Sequence, residues 1–243
     1  MSNDQIHDDV RTYYRDAARS RGTDGNSDER WGVSQYDDAT LATGTETAAN
    51  LSMGCGNPFA IADLEPGETV LDLGSGGGLD VILSAKRVGP SGKAYGVDFL
   101  PEMLELARAN AADAGVSNVE FLDGMIEDLP LPDASIDVVI SNCVINLAPD
   151  KTPVFAEMAR VLRPGGRVAV SDVVADNGIA APADGTAWAD CGAGALQHDA
   201  YLAMLDCAGF EEATIEYTHD TGPGLHGAIV RATRPQKATD PEA

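Results

Sequence analysis

Basic residues are scarce in this 243-residue sequence: 16 lysines and arginines stand against 39 aspartates and glutamates, a formal net charge of −23. A field of that sign repels phosphate backbones and anionic membrane surfaces, so we expect neither nucleic acid nor a membrane as a partner. The acidic residues are spread along the whole chain and do not form a tail. We interpret them as a solvated coat suited to high salt.

Long apolar runs are also missing. No stretch approaches the roughly 18 consecutive apolar residues of a membrane span, and the first residues, MSNDQIHDDV, are polar and acidic, unlike a signal sequence. We therefore expect a cytoplasmic protein. Aromatic residues make up only 5% of the chain, but a hydrophobic fraction of 44% is ordinary for a soluble enzyme with a buried core.

Cysteine is rare, and its spacing excludes a local zinc site. The chain has four cysteines, Cys55, Cys143, Cys191 and Cys207. No CxxC pair occurs among them, and a cytoplasmic chain of this size does not suggest a disulfide framework, so we expect free thiols. The simplest interpretation of a single cysteine is a small buried hydrophobe. Cys207 fits it, because it falls on a predicted apolar helical face with Leu202 and Leu205.

From residue 66 onward, short apolar runs alternate with helical patterns. The predicted strands are TVLDL, KAYGVD, VEFLD, IDVVI and GRVAVSDVV, the last preceded by a PGG turn. Predicted helices begin near Asp80, at Pro101 and in KTPVFAEMARVL. This alternation predicts an α/β fold with a doubly wound, parallel sheet. A further helix at Asp199 to Ala208 and two closing strands, TIEYT and GAIVRA, follow it.

The stretch VLDLGSGGGLD places a glycine-rich turn between the first strand and its helix, where a ligand can approach the backbone. Leu79 stands where a dinucleotide fingerprint has its third glycine, so NAD is the less favoured ligand. Asp72 ends the first strand, and Asp98, which ends the second, is expected to accept hydrogen bonds from ribose hydroxyls. The turn predicts an adenosyl or nucleotide site. Met103 either covers the adenine or fills the core.

Three cysteines occupy positions that a ligand cleft could bring together. Cys55 lies between glycines before the first strand, Cys143 follows the fourth strand, and Cys191 lies in a Gly/Ala-rich segment beyond the fifth. Ligands of an open parallel sheet bind at the carboxyl ends of its strands. Soft thiolates select soft, thiophilic centres, so three converging thiols could hold such a centre together.

Six elements, taken in order, resemble the arsenite methyltransferases from about Tyr36 to Phe210. They are LSMGCGNP, VLDLGSGGGLDV, GVDFLPEMLELAR, LPLPDASIDVVISNCVINLAPDK, RVLRPGGRVAVSDVV and CGAGAL. The resemblance implies a class I methyltransferase, Rossmann-like sheet with an antiparallel last strand and a small C-terminal arsenic-binding segment. It also implies S-adenosylmethionine as cofactor, transfer of its methyl groups to thiol-bound trivalent arsenic in arsenic detoxification, and release of S-adenosylhomocysteine.

The same resemblance assigns residues to the site. Cys143 and Cys191 would be the arsenic ligands, with Cys55 as the third thiol in binding and in the redox part of the cycle. Members often have another cysteine upstream of the GCGNP element, but this chain has none before Cys55. A disulfide relay would therefore run among these three cysteines. The implied cofactor-binding residues are Asp72, Gly74, Ser75, Gly76, Asp98, Met103, Ile126, Glu127 and Asn142.

One position departs from related quinone-biosynthesis methyltransferases, because Met125 replaces their acidic residue and leaves the Ile126 backbone and Glu127 as adenine contacts. The implied partners are arsenite or methylarsenite as thiol complexes and a thioredoxin or glutathione-like reductant; we expect a monomer. Transfer from a sulfonium needs only an in-line nucleophile and no general base. The histidines are accordingly interpreted as surface residues: His7, His198, His219 and His226.

Four regions are expected. Residues 1–35 form an amino-terminal helix and a mobile loop, residues 36–175 the S-adenosylmethionine-binding domain, residues 176–232 the substrate segment and closing strands, and residues 233–243 a disordered tail. The first helix has apolar residues at helical spacing: Ile6, Val10, Tyr13, Tyr14 and Ala17. Its tyrosines either bring the helix over the cleft as a lid or simply pack.

Two other functions stay open. A quinone-type or sterol-type carbon- or oxygen-methyltransferase would share the adenosyl motifs but would have no use for three thiols, so cysteine-to-serine variants separate it from an arsenite enzyme. A non-catalytic, thiol-based metalloid-binding protein would form no S-adenosylhomocysteine when arsenite is added.

Overall fold

The structure, a computed structural model, describes residues 2–20, 56–58, 62–179 and 192–236, with side chains from 2 to 16 in the first of these ranges. Its strands are β1 (Thr69–Leu73), β2 (Lys93–Asp98), β3 (Val119–Asp123), β4 (Ile136–Asn142), β5 (Leu162–Ala175), β6 (Leu196–Gln197), β7 (Glu211–Gly222) and β8 (Leu225–Thr233). Its helices are α1 (Asn3–Ser20), α2 (Leu79–Val88), α3 (Pro101–Asp113), α4 (Thr152–Val161) and α5 (His198–Cys207), with a 3₁₀ turn at Ile145–Leu147.

The strands form one sheet in the order β3-β2-β1-β4-β5-β8-β7, and β6 pairs with the end of β5. Strands β1 to β5 are parallel, whereas β8 runs antiparallel to β5 and β7 antiparallel to β8. The predicted doubly wound sheet with an antiparallel last strand is confirmed. The order in which successive strands are added to the sheet reverses between β1 and β4, which are parallel, and a ligand crevice is expected at the carboxyl ends of these two strands.

Successive residues of the central strands point into two different cores. Val70 of β1 belongs to a cluster formed with α2 and α3, whereas its neighbour Leu71 belongs to one formed with α4 and α5. Because side chains alternate between the faces of a strand, helices cover both faces of the sheet. Burial on both faces explains why TVLDL and IDVVI are continuous apolar runs.

The glycine and proline positions set the bounds of the helices around the site. Gly78, with φ of 84°, immediately precedes α2. Pro101 occupies the first helical position of α3, where its missing N–H costs nothing, and Gly115 follows that helix with φ of 67°. Both helices begin close to where the sequence predicts them.

One predicted turn is wrong. The PGG stretch before the fifth strand is the irregular start of β5, which already pairs through Leu162 with Ile136. Gly165 has φ of 81°, its N–H donates to the Arg234 carbonyl, and Arg234 donates in turn to the Gly166 carbonyl. The chain therefore bulges within the sheet and does not leave it, because the segment after β8 supplies hydrogen bonds that local sequence cannot reveal.

Helix α1 is the predicted amphipathic helix. Ile6 and Val10 are buried, whereas Tyr13 is 48% exposed. Arg15 lies 3.3 Å from Glu102 of α3, so the helix is anchored beside the carboxyl end of the sheet. The loop predicted after it and most of the predicted tail lie outside the described residues, and the four domain boundaries stay predictions. No helix within the described ranges is long and apolar enough to cross a membrane.

The charge of −23 predicts strong dependence of stability on salt. Like charges repel over a Debye length of roughly 30 Å at 0.01 M salt but only roughly 3 Å at 1 M. We expect the melting temperature to rise steeply between dilute buffer and molar potassium chloride, and activity lost in dilute buffer to return with salt. Differential scanning fluorimetry across that range measures it. A flat melting temperature with the highest activity in dilute buffer would contradict the high-salt interpretation.

Candidate active site

A cavity opens at the switch point, above the carboxyl ends of β1, β2 and β4. Every residue that the sequence assigns to the cofactor lines it: Asp72, Gly74, Ser75, Gly76, Asp98, Met103, Ile126, Glu127 and Asn142. Cys143 lines the same cavity. The fold therefore brings the predicted adenosyl residues and one of the predicted thiols to a single space.

The glycine-rich turn forms the floor of this cavity. Gly74 and Gly76 have φ of 66° and 49°, which favours glycine because side chains rarely adopt this conformation. A Cβ on Gly74 would lie 2.5 Å from Val144, whereas one on Gly76 would meet nothing within 4 Å. Gly74 thus lets the turn after β4 approach, and Gly76 leaves space for a ligand. Within the part of the chain that the structure describes, the buried Ser75 hydroxyl has no hydrogen-bond partner, so it can bond to a ligand.

Asp98 is the last residue of β2, and its side chain bonds to the glycine-rich turn. Its carboxylate accepts hydrogen bonds from the N–H groups of Gly76 and Leu100, both at 2.9 Å. Burial raises the pKa of Asp98 to about 6, and the charge of Asp123 adds to that rise. Each carboxylate oxygen has a second lone pair, so both oxygens can still accept a hydrogen bond from a ligand.

Three carboxylates surround the turn. Burial, followed by the charges of Asp80 and Asp98, raises the pKa of Asp72 well above its ordinary value. A cationic ligand group in the cavity would relieve this repulsion. Asp80 lines the cavity but was absent from the predicted site. It closes the stretch VLDLGSGGGLD, so its acidic side chain beside a glycine-rich turn was a usable signal.

Helix α1 supplies part of the opposite wall. Its residues His7, Val10 and Tyr14 line the cavity. The His7 imidazole lies 3.6 Å from a Glu127 carboxylate oxygen, and among the described residues the second, buried oxygen of Glu127 has no hydrogen-bond partner. The predicted surface role is incomplete for His7, because its side chain is 26% exposed but also lines the cavity. A position of α1 over the cleft was one of the two alternatives for its tyrosines, and Tyr14 does line the cavity.

The residues predicted to contact adenine are apolar except for Glu127. Met103 is only 2% exposed, and it packs with Leu100 and Tyr14 in a small cluster. It therefore fills the core and lines the cavity at once, which combines the two interpretations of this residue. Ile126 is also buried, and Met125 beside it lines the cavity. This wall can accept a flat, largely apolar ring with Glu127 as its polar contact.

Cys143 sits in a strained turn directly after β4. Its φ is 61°, an uncommon value for a residue with a side chain, and it is 2% exposed. Its N–H donates to the Ser171 carbonyl at 2.8 Å. Cys143 is disulfide-bonded, which differs from the predicted free thiol. Cys55 and Cys191 lie outside the described residues.

Residues that follow Cys55 and Cys191 contact the Cys143 turn. The Asn142 amide donates to the Gly56 carbonyl at 2.7 Å and accepts from the Gly56 N–H at 3.2 Å. A Cβ on Gly194 would lie 1.8 Å from the Asn146 carbonyl oxygen, so these two backbones are in close contact. Two segments that are distant in the sequence therefore contact this part of the chain. Asn142, predicted as a cofactor residue, holds one of them.

Cys207 lies apart from this site. It is the last residue of α5, and its thiol is free and exposed. The prediction of a core position is wrong, because α5 buries Tyr201 and Leu205, one turn apart on its inner face. Cys207 comes two residues after Leu205 and therefore points away from that face.

A further buried carboxylate, Asp172 of β5, lies behind the Cys143 turn. It is fully buried, and burial raises its pKa to about 7 although the Lys151 ammonium and a hydrogen bond from the Val173 N–H oppose that rise. Among the described residues, no group of three or more potential ligands is arranged to hold a metal ion.

Comparisons with known proteins agree with this geometry. Residues 64–210 match the family described as a methyltransferase domain. The arsenite methyltransferase of Halobacterium salinarum is 46% identical over 230 residues, covering 88% of this chain and 58% of that protein. The mouse arsenite methyltransferase is 34% identical over 209 residues, covering 79% and 54%. The chain thus spans little more than half the length of these curated relatives.

Solved structures give the same result. CrArsM, an arsenic(III) S-adenosylmethionine methyltransferase from Chlamydomonas reinhardtii, superposes with a TM-score of 0.69 at 36% identity, covering 82% of this chain and 73% of that chain. The [4+2]-cyclase SpnF matches 94% of this chain with a TM-score of 0.64 but only 19% identity, covering 93% of that chain. SpnF shares the fold alone.

The raised carboxyl pKa values predict that the ligand-free protein loses stability as pH rises. Asp98 and Asp172, with pKa values of about 6 and about 7, bind protons in the folded state that an unfolded chain with carboxyl pKa values near 3.8 has released. Their stabilising contribution is complete below about pH 4 and is lost as pH rises through about 6 for Asp98 and about 7 for Asp172. The Asp98 share is on the order of 3 kcal/mol.

Urea unfolding between pH 5 and pH 8 in molar potassium chloride, which screens the surface charge, tests this. The unfolding free energy should fall with increasing pH, and Asp98→Asn should flatten the slope relative to the exposed control Asp113→Asn. An unfolding free energy that rises across this window would refute the raised pKa values.

Proposed function

Because the chain belongs to the arsenite methyltransferase family of S-adenosylmethionine-dependent methyltransferases, we propose that it transfers methyl groups from S-adenosylmethionine to trivalent arsenic held by its thiols. S-Adenosylhomocysteine would be the second product. The observation that carries the proposal is the position of Cys143, which lines the same cavity as the glycine turn and Asp98.

The cavity's donor set fits the cofactor. The Asp98 carboxylate would accept hydrogen bonds from the two ribose hydroxyls, and the open space at Gly76 would receive the adenosyl group. The buried second oxygen of Glu127 would accept a hydrogen bond from the exocyclic amine of adenine. The carboxylates of Asp72 and Asp80 would favour its cationic groups. When bound, S-adenosylmethionine supplies an electrophilic methyl group on a sulfonium.

The thiol side of the cavity would present the nucleophile. Cys143, Cys191 and Cys55 would displace oxygen from arsenite and hold As(III) through sulfur. The arsenic lone pair would form the new As–C bond while the methyl–sulfur bond breaks and its electron pair stays on sulfur. The chain's main contribution is alignment at near-attack distance, since no proton has to move in this step.

The transfer oxidises arsenic formally by two electrons, so a further methylation needs a reductant. Two thiolates can supply these electrons by forming a disulfide, and the disulfide-bonded state of Cys143 is consistent with such a relay. An external thiol, thioredoxin or glutathione-like, would then restore the thiolates. We further propose that the protein acts as a monomer in the cytoplasm, where reduced thiols are maintained.

Cysteine replacement tests the reaction. Cys143→Ser and Cys191→Ser should each lower arsenite methylation by roughly 100-fold or more, because a hydroxyl neither binds As(III) tightly nor positions it. Cys207→Ser, at an exposed position, should stay within about twofold of the wild type. Product speciation with labelled methyl donor, arsenite and a thiol is the measurement.

The same experiment separates the alternatives. Full arsenite methylation by both Cys143→Ser and Cys191→Ser would overturn the proposed thiol site. Methylation of a quinone-like or sterol-like acceptor that survives both substitutions would favour the carbon- or oxygen-methyltransferase. Arsenite binding without S-adenosylhomocysteine formation would favour a non-catalytic metalloid-binding protein.

Asp98 should control cofactor affinity and its pH dependence. Asp98→Ala removes the ribose acceptor and should weaken S-adenosylhomocysteine binding by roughly 100-fold, with arsenite binding nearly intact. In the wild type, affinity should be constant above about pH 7 and fall below about pH 6 by up to tenfold per unit, because only the ionised carboxylate accepts both hydroxyls. Calorimetry with the Asp113→Asn control measures both effects. Unchanged affinity in Asp98→Ala would remove Asp98 from the site.

A further inference from the structure

Buried polar side chains connect the Cys143 turn to the strand behind it. The Asn146 amide, in the 3₁₀ turn that follows Cys143, donates to the Asp172 carboxylate and to the Val173 carbonyl, both at 2.7 Å. The same carboxylate oxygen accepts the Val173 N–H at 3.0 Å. Asn146 and Asp172 are both completely buried, so no water can replace these bonds without opening the core.

Two further groups enclose this pair. The Lys151 ammonium donates to the Ala148 carbonyl at 2.9 Å and lies 3.4 Å from the Asn146 carbonyl oxygen. The Tyr201 hydroxyl of α5 faces the carboxylate of Asp172 in an arrangement that falls short of ideal hydrogen-bond geometry. The Gly194 backbone is also in close contact with the Asn146 carbonyl, next to the Lys151 ammonium. Asn146 is therefore held through its side chain and its backbone.

The turn itself needs this support. Cys143 has φ of 61°, and a residue with a side chain keeps such a backbone only when its surroundings over-determine it. The bond from the Cys143 N–H to Ser171 fixes the first side of the turn. On the second side, the described side-chain hydrogen bonds that cross to β5 are those of Asn146.

We propose that Asp172 is a positioning residue that, through Asn146, fixes the turn carrying Cys143 and therefore the direction of its thiol. Asp172 is completely buried and is not among the residues lining the cavity, so it would act without touching substrate or cofactor. The binding of arsenic by the Cys143 thiol rests on the proposed function. The direction in which that thiol points does not.

Alkylation of the reduced protein reports that direction. Cys143 is 2% exposed in the disulfide-bonded structure, so a turn that keeps this position after reduction should alkylate slowly. Asp172→Ala and Asn146→Ala should each accelerate it by roughly tenfold, the scale expected when strain of this kind is released. Asp172→Asn keeps an oxygen for both N–H donors and should restore slow alkylation. Iodoacetamide labelling, with peptide mass mapping to isolate Cys143 from the other cysteines, measures the rates.

Asn118→Ala is the matched control. The Asn118 amide donates to the carbonyls of Ala85, Gly89 and Gly92 at the opposite end of the sheet. Its loss should lower stability but leave Cys143 alkylation within about twofold of the wild type. S-Adenosylhomocysteine affinity should change far less than the alkylation rate in all variants.

Two outcomes would overturn the positioning role. One is folded Asn146→Ala or Asp172→Ala protein that alkylates Cys143 at the wild-type rate. The other is equal acceleration in Asn118→Ala, which would show that general destabilisation is the cause. Because alkylation involves no arsenic, these outcomes are distinct from failure of the proposed function, which arsenite methylation by the cysteine variants tests.

Discussion

Strands β1 and β4 pair in parallel with Leu73 opposite Ser141, and this register sets the two turns that follow them side by side. One turn carries the glycines, and the other carries Cys143. Their contact is so close that a Cβ on Gly74 would lie 2.5 Å from Val144. A cofactor resting on the first turn and a substrate held by the second would therefore meet without a large movement of the chain. The glycine at position 74 is required by this contact as well as by its backbone conformation.

The electrostatics of the cavity are costly for the empty protein. Asp72, Asp80 and Asp98 converge on one turn in a chain that already carries a charge of −23, and burial raises the pKa values of Asp72 and Asp98. These buried carboxylates lower the folding stability of the ligand-free protein at neutral pH, but they give a site that favours a cationic ligand with hydroxyl groups. Beside Cys143, the buried polar groups are Asn146 and Asp172, which lie behind its turn. The two halves of the cavity therefore suit chemically different occupants.

Much of this arrangement could be predicted from local sequence. The strands that bear Asp72, Asp98 and Cys143 are short apolar runs, and the position of each residue at a strand end follows from the run itself. His7 could not be assigned, since its place depends on how α1 packs on α3. Cys207 was misassigned because two apolar residues, Leu202 and Leu205, are too few to show which face of a short helix is buried.

Two other features depend on contacts between distant segments. The PGG stretch remains in the sheet because Arg234, 69 residues after Gly165 in the chain, pairs with it. Asn142 holds Gly56 across 86 residues, and Asp172 holds Asn146 across 26. Such bonds have no periodic signature in the sequence. They become visible only once the sheet order brings the segments together, which is why the buried support of the Cys143 turn was not predicted.

We propose that Cys143, beside the adenosyl cavity, holds arsenic together with two other thiols of this chain. X-ray absorption spectroscopy at the arsenic edge, on reduced protein loaded with one equivalent of arsenite and saturated with S-adenosylhomocysteine, tests this coordination. We expect arsenic bound by three sulfur atoms, with one sulfur replaced by oxygen in Cys143→Ser. An unchanged coordination shell in that variant, or a shell of oxygen in the wild type, would contradict it.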